Sequence, residues 1–532
     1  MKRFTLVLIF IFSSISLSQT EDKVQSIELP EFVITGVQSL DVPIVQKKKA
    51  EFIPTISEEF LVPTYSPEEF PLTYGSGIIG KKINLFEGTD TFEGGLKIGA
   101  GRFTMPAGEF HFSKNWDNYL FSTKVWSKNI RDYIEYAGYH VTGASISNSF
   151  FIDNQSGFLP GLRIDLNGNY YQNNFKFYAS PTNPSEERKI QIGTALISFT
   201  NKYDNTFNYG IDVSGRYFML SDNDLKELLL TGRSFFELKF QNFGFRLDGR
   251  YKQQNLENNL TYNKNYNYFD GKFSVNIRPS NNVELKLGVY YSQQDSNKFF
   301  SPVGSFNLRL DKNIYVFGEY SPNTDFYTIS DFIYRNKYMV LSAIENIFIK
   351  NKSNAKVAVK YEYEKYFEID AGFNLSNYNN YFFFEDTSTS GHFTLQTVSD
   401  ISRFAGFINM LFHRGPLGEF YGELNYQQIT NSDGEYIPYH PAITASLTYA
   451  YYFNFGLGVK IIYDFAHNIF TDMANFNKLN DYHNLAVSIS YDFSSNFKFI
   501  VDFENVLNRE NYPLQGYKEK WFDIIGGLYY HW

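Results

Sequence analysis

From about residue 92 to the end, the chain alternates apolar and polar residues with a period of two. Phe273, Val275 and Ile277 are interleaved with Ser274, Asn276 and Arg278; after the turn 278–282, Val283, Leu285, Leu287 and Val289 are interleaved with Glu284, Lys286 and Gly288. Successive side chains of a strand point to opposite faces, so each such run is a strand with one apolar and one polar face. Leu485 to Phe493 and Phe497 to Phe503 repeat the pattern around Ser494-Ser495-Asn496, as do Phe306 to Leu310 and Ile314 to Val316 around Asp311-Lys312-Asn313. Each pair reads as a hairpin. No stretch after residue 18 approaches the roughly 18 consecutive apolar residues that a spanning helix needs.

The connections are expected in two sizes. The turns at 278–282, 311–313 and 494–496 are short, whereas 291–303, 320–336, 427–441, 466–482 and 504–520 read as long polar loops. Short turns at one end and long loops at the other mark an outer-membrane barrel, while a sandwich has no reason to sort its loops by length. No fixed repeat points to a propeller or solenoid. Residues 365–400 do not divide cleanly into strands. At roughly 20 residues per strand and connection, residues 88–532 make an all-β, transmembrane antiparallel barrel of about 22 strands, with about 18 to 24 accommodated. Aromatic residues make up 19% of the chain (55 Phe, 42 Tyr, 4 Trp), an excess that rim positions of such a barrel absorb. Strand parity places Arg278, Glu284 and Lys286 in the lumen.

The beginning of the chain sets the compartment. Lys2 and Arg3 precede the apolar run 4–12, and Ser16-Leu17-Ser18 offers a small-x-small cleavage site, so residues 1–18 read as a signal peptide. Residues 19–87 hold six of the 17 prolines up to Pro71 and read as an extended periplasmic arm. At the other terminus, Phe522, Ile524, Gly526, Leu528, Tyr530 and Trp532 share one face of a last strand that ends on an aromatic. Phe522, Ile524, Leu528, Tyr530 and Trp532 are thus expected to form the signal read by the barrel-assembly machinery, and the barrel to sit in outer-membrane lipid.

Two segments resemble the TonB-dependent receptor family. Glu28-Leu29-Pro30-Glu31-Phe32-Val33-Ile34-Thr35-Gly36 is similar to the family's TonB-box-like opening. Glu504-Asn505-Val506-Leu507-Asn508, Asn511-Tyr512, Gly516-Tyr517 and the final strand are similar to its C-terminal ending, and Tyr436-Ile437-Pro438-Tyr439-His440-Pro441 to a recurring barrel feature. The resemblance implies a TonB-type periplasmic partner and solute uptake or passage across the outer membrane. The family's folded plug domain is not recognisable between the box and the barrel: the stretch from Val37 to about Glu87 is too short for one. A barrel of this size normally has a filled lumen, so the arm, the loops or a separate plug or lumen protein is expected to fill it. The alternative is a plugless porin-like or partner-holding barrel without active transport.

No enzyme chemistry is expected. There is no cysteine, and the eight histidines show no metal-ligand spacing. Gly75-Ser76-Gly77-Ile78-Ile79-Gly80-Lys81-Lys82 matches a phosphate-loop pattern only in part, because Pro-rich chain precedes it and Lys82 stands where a magnesium-holding hydroxyl belongs. Asp433-Gly434-Glu435 and Asp222-Asn223-Asp224 lack a full calcium ligand set. No cofactor is expected. The formal charge of −9 argues against nucleic acid as a partner.

Overall fold

The computed structural model describes residues 94–152, 161–201, 206–221, 224–257, 264–341, 347–363, 366–386, 388–415 and 418–532. The expected signal peptide, the arm 19–87 and the TonB-box-like segment Glu28 to Gly36 lie outside the described residues.

The strands form one closed antiparallel barrel of 22 staves. Ile314–Tyr320 and Asn323–Tyr327 both pair with Ile347–Tyr363 and form one interrupted stave. The ring closes where Gly94–Gly101 pairs antiparallel with Asp523–His531, Gly95 facing His531 and Gly101 facing Ile525. Closure joins the first and last staves, so neighbouring staves pair backbone groups all the way round the ring. The indole of Trp532 lies over Gly94, where a β-carbon would come within 2.0 Å of the ring. The last residue therefore packs on the first strand, and its N–H donates to the Gly94 carbonyl at 3.1 Å.

The outward face carries the exposed apolar residues. Leu287 is 59% and Val213 54% exposed, and Ile98, Leu247, Leu375 and Ile408 share that face. At the end holding both barrel termini the outward residues turn aromatic. Trp116 stacks on Tyr119, Phe240 on Phe243, and Phe493 on Phe497, each pair beside a short turn. An apolar belt with an aromatic collar is the surface a bilayer requires. The last strand follows the same parity: Ile524, Tyr530 and Trp532 are exposed while Ile525 and Tyr529 are buried.

The turns at 281–282, 312–313 and 493–496 lie at the collar end, and the long connections 380–400, 431–442, 468–481 and 505–522 lie at the other. One expected loop is absent. Residues 291–303 belong to Val283–Gln294 and Asn297–Asp311, which meet at a two-residue turn with Asp295 in the left-handed region (φ 50°). The polar residues Gln293, Gln294, Asn297 and Lys298 continue the ladder, so polarity there marks a strand that outlasts the apolar belt. The stretch 320–336 is also no plain loop. It holds the strand Asn323–Tyr327 and a helix, Ile329–Arg335, opened by a Thr328 N–H bond to the Asp331 carboxylate at 2.9 Å. Residues 366–386 and 388–400 hold the stave Phe367–Asn379 and a separate hairpin, Tyr381–Glu385 with Thr394–Val398.

Leu287→Arg is expected to lower the stability of the barrel in lipid vesicles by about 2–4 kcal/mol, because it sets a charge against hydrocarbon. Lys286→Arg should leave stability nearly unchanged. Denaturant titration followed by heat-modifiable gel migration reads both.

Candidate functional site

The long connections turn inward and build a lid inside the loop end of the barrel. Its core is apolar and aromatic: Phe332 and Ile333 of the helix, Tyr338, Phe382 and Phe384 of the hairpin, Phe393, and Tyr517 of the final loop. They pack on wall residues at the loop end, among them Phe218, Leu220, Leu225 and Leu256. Tyr338 and Tyr517 stack with centroids 3.4 Å apart, and the Tyr517 hydroxyl donates to the Gly391 carbonyl at 2.5 Å. Phe332 meets Phe382 edge-on at 5.0 Å. Tyr133 and Tyr178, from two wall connections, donate to the Lys518 carbonyl at 2.9 and 2.6 Å.

The segment from Asn323 to Val340, hereafter the strap, runs across the inner wall. The Thr324 hydroxyl donates to Ser292 at 2.7 Å and lies 3.0 Å from the Tyr268 hydroxyl, and Lys252 donates to the Phe326 carbonyl at 3.1 Å. Arg216 bonds the Asp331 carboxylate at 2.8 Å and the Thr328 hydroxyl at 2.6 Å. Glu227, fully buried, accepts from the Ser330 N–H at 3.2 Å, from the Ser330 hydroxyl, and from Gln254 at 2.9 Å. Buried Arg188 donates to the carbonyls of Lys337 at 2.9 Å and Met339 at 2.5 Å. Burial pushes the Asp331 carboxyl up, but Arg216 and the hydrogen bonds from Arg216 and Thr328 outweigh it and hold the group below the usual carboxylate range.

Beside the strap lies a cavity of about 920 Å³. Wall strands supply Tyr171 and Asn173, the strap Tyr334 and Lys337, and the final loop Glu519 and Lys520. Three of its lining charges, Glu504, Lys518 and Lys520, are ion-paired, whereas Asp464 and Glu519 accept from the Ser446 and Tyr482 hydroxyls and Arg335 donates to the Tyr327 hydroxyl. Lys520 pairs with Glu504 and with Asp523 at 2.9 Å, and Lys518 pairs with Glu510 at 2.7 Å. Lys337 differs: its ammonium sits 5.0 Å from the Tyr139 and Tyr338 rings and 4.7 Å from Phe175, with no ion pair among the described residues. Burial pushes it down to about 8. No group of three or more metal-ligating side chains occurs among the described residues.

Arg278, Glu284 and Lys286 stand together on the lumen face. The buried Glu284 carboxylate accepts from Asn276 at 2.6 Å, Arg278 at 3.3 Å and Asn307 at 3.0 Å, with Lys286 4.0 Å away. Six residues separate Glu284 from Tyr290, which bears on the strap, and at 3.3–3.4 Å per residue that is about 20 Å along the wall. The trio therefore braces the collar end, remote from lid and cavity. Sequence reasoning missed the strap anchors Arg216 and Glu227, whose partners lie more than 100 residues away. One local signal was present: Thr328-x-x-Asp331, a helix-capping pattern within a stretch read as loop.

Solved structures with this architecture are receptors and transporters. The siderophore receptor PirA from Pseudomonas aeruginosa superposes with a TM-score of 0.58 at 11% identity, over 83% of this chain and 80% of that chain. The ferric-catecholate import receptor Fiu from E. coli K12 gives 0.60 at 11% identity, over 83% and 82%. The copper transporter OprC gives 0.61 at 9% identity, over 83% and 81%. The chain has the barrel fold of the TonB-dependent receptors. No family model and no curated protein matches the sequence. At these identities the likeness is one of fold, and the lid is read from this chain's own residues.

Two measurements check the lid. Tyr517→Ala is expected to remove about 3–5 kcal/mol of local packing, seen as faster hydrogen exchange across Tyr381–Val398 with the barrel intact. His440 joins the connection 431–442 to the hairpin: its Nδ1–H donates to the Pro438 carbonyl at 2.8 Å, leaving Nε2 to accept from Tyr381 at 3.2 Å. Burial lowers its pKa to about 4, with Arg335 and Arg403 adding to the effect. An undocked His440 takes a proton near its ordinary 6.5, whereas the docked one resists until about 4. Docking is therefore at full strength above pH 6.5 and weakens as the pH falls towards 4. Exchange of residues 436–441, corrected for the intrinsic rate, should accelerate over that window, and His440→Gln should flatten the dependence.

Proposed function

We propose that this chain is an outer-membrane uptake barrel through which a solute passes, closed at rest by its own inward-folded connections. The observation that carries this reading is the lid packed across the loop end of a 22-stave lumen, with a solute-sized cavity beside it. A barrel serving only as a scaffold has no need of a cavity lined by wall, strap and final loop together. The likeness in fold to siderophore receptors and a copper transporter supports uptake as the class of activity. In this reading residues 1–18 direct export, and the arm 19–87 offers Glu28 to Gly36 to a TonB-type periplasmic protein. The terminal face Phe522, Ile524, Leu528, Tyr530 and Trp532 is read by the barrel-assembly machinery, and Arg278, Glu284 and Lys286 line the collar end of the passage.

Planar-bilayer recording tests passage. Wild-type protein should insert with little steady conductance, and Tyr338→Ala/Tyr517→Ala, which empties the aromatic centre of the lid, should conduct steadily. Silence from the inserted double variant would overturn passage and leave a partner-holding barrel.

A further inference from the structure

We propose that the strap is the gate of this barrel and that Arg216 and Glu227 are its latch. The inference rests on the passage reading above. The strap's first residues, Asn323–Tyr327, stay in the stave through their ladder to Ile347–Tyr363 and serve as the fixed end. From Thr328 onward the strap is held to the wall by apolar packing, hydrogen bonds and one ion pair, from Arg216 and Glu227 at its start to Arg188 at its end. On its other side Ile333, Tyr334 and Lys337 border the cavity. Leaving the wall gives up these polar contacts, which water can take over, and also the packing of Phe332, Ile333 and Tyr338 on the wall, while the cavity on the other side offers the strap room to move into.

The other inward connections are tied differently. The hairpin Tyr381–Val398 is a sheet of its own. The final loop is pinned through Asn505, whose amide donates to the carbonyls of Arg509 and Lys520 at 3.0 and 3.1 Å, and through Lys520 on Asp523. The strap meets the hairpin where Met339 pairs with Phe393 and Phe332 meets Phe382, while the hairpin stays tied to the final loop through Gly391 and Tyr517 and to the wall through Phe383. The latch is charged and buried: Glu227 is fully covered and Arg216 sits between it, at 3.7 Å, and Asp331 at 2.8 Å. Such a contact is strong while closed, because a buried carboxylate left without donors is costly. Apolar packing on Phe218, Leu220, Leu225 and Leu256 makes closed the resting state. A solute in the cavity touches Tyr334 and Lys337 on the strap itself, so occupancy biases strap position.

The absence of cysteine permits a direct test on the full chain. In Glu227→Cys/Ser330→Cys, the reduced protein lacks the Glu227 half of the latch, and a short bis-methanethiosulfonate, which forms one disulfide with each thiol and releases two methanesulfinates, restores it covalently. Single-channel recording in planar bilayers should show openings about tenfold more frequent than wild type when reduced. Bridging should suppress them, and reductant should return them. Glu227→Gln, which keeps the side-chain volume, should open in the same direction. Equal currents in the bridged, reduced and wild-type forms, with Tyr338→Ala/Tyr517→Ala conducting, would overturn the gate and leave passage standing. Silence from that double variant as well would remove the passage reading and the gate with it.

Discussion

Every element of this molecule depends on one backbone constraint. Peptide groups facing hydrocarbon have no water to bond, so they must be paired by neighbouring strands all the way round. The pairing of Gly94–Gly101 with Asp523–His531 meets that demand by joining the two ends of the described chain. Once the ring is closed, side-chain parity is dictated everywhere: one face must suit lipid and the other the lumen. Leu287 and Glu284 differ in fate only because three positions separate them on the same strand.

A ring of 22 staves encloses more space than wall side chains can fill, and that surplus explains the length and composition of the late connections. Aromatic residues suit the task, since each covers a large area with few rotatable bonds. Tyr338, Phe382, Phe393 and Tyr517 come from three separate connections and meet in one core. The polar anchors sit between this core and the wall. Glu227 has partners there in Ser330, Gln254 and Arg216, whereas Lys337 faces aromatic rings.

Legibility from sequence followed the range of the interaction. Alternation is a property of adjacent residues, so the strand character of 273–289, the lumen side of Glu284 and the outward run ending in Trp532 could be read without a structure. The count of about 22 staves came from length alone. The reading failed where polarity served as a proxy for loops: Gln293 to Lys298 are polar because they rise above the apolar belt, yet they stay in the ladder. The strap was illegible for a different reason. Arg216 and Asp331 are 115 residues apart, and nothing local to either marks the other. The expectation that the arm, the loops or a separate protein fills the lumen named no residues, and among the described residues it is the chain's own connections that pack inward at the loop end.

The stack of Tyr338 on Tyr517, with the Tyr517 hydroxyl bonded to Gly391, has a bearing on biogenesis. Tyr517 lies only six residues before the final strand Asp523–His531. The aromatic centre therefore takes its keystone from the stretch of chain that leads into the ring-closing strand. Filling the loop end and closing the ring thus depend on the same short piece of sequence. A barrel lacking that piece would be incomplete in two senses at once, with an unpaired strand edge and an unfilled loop end.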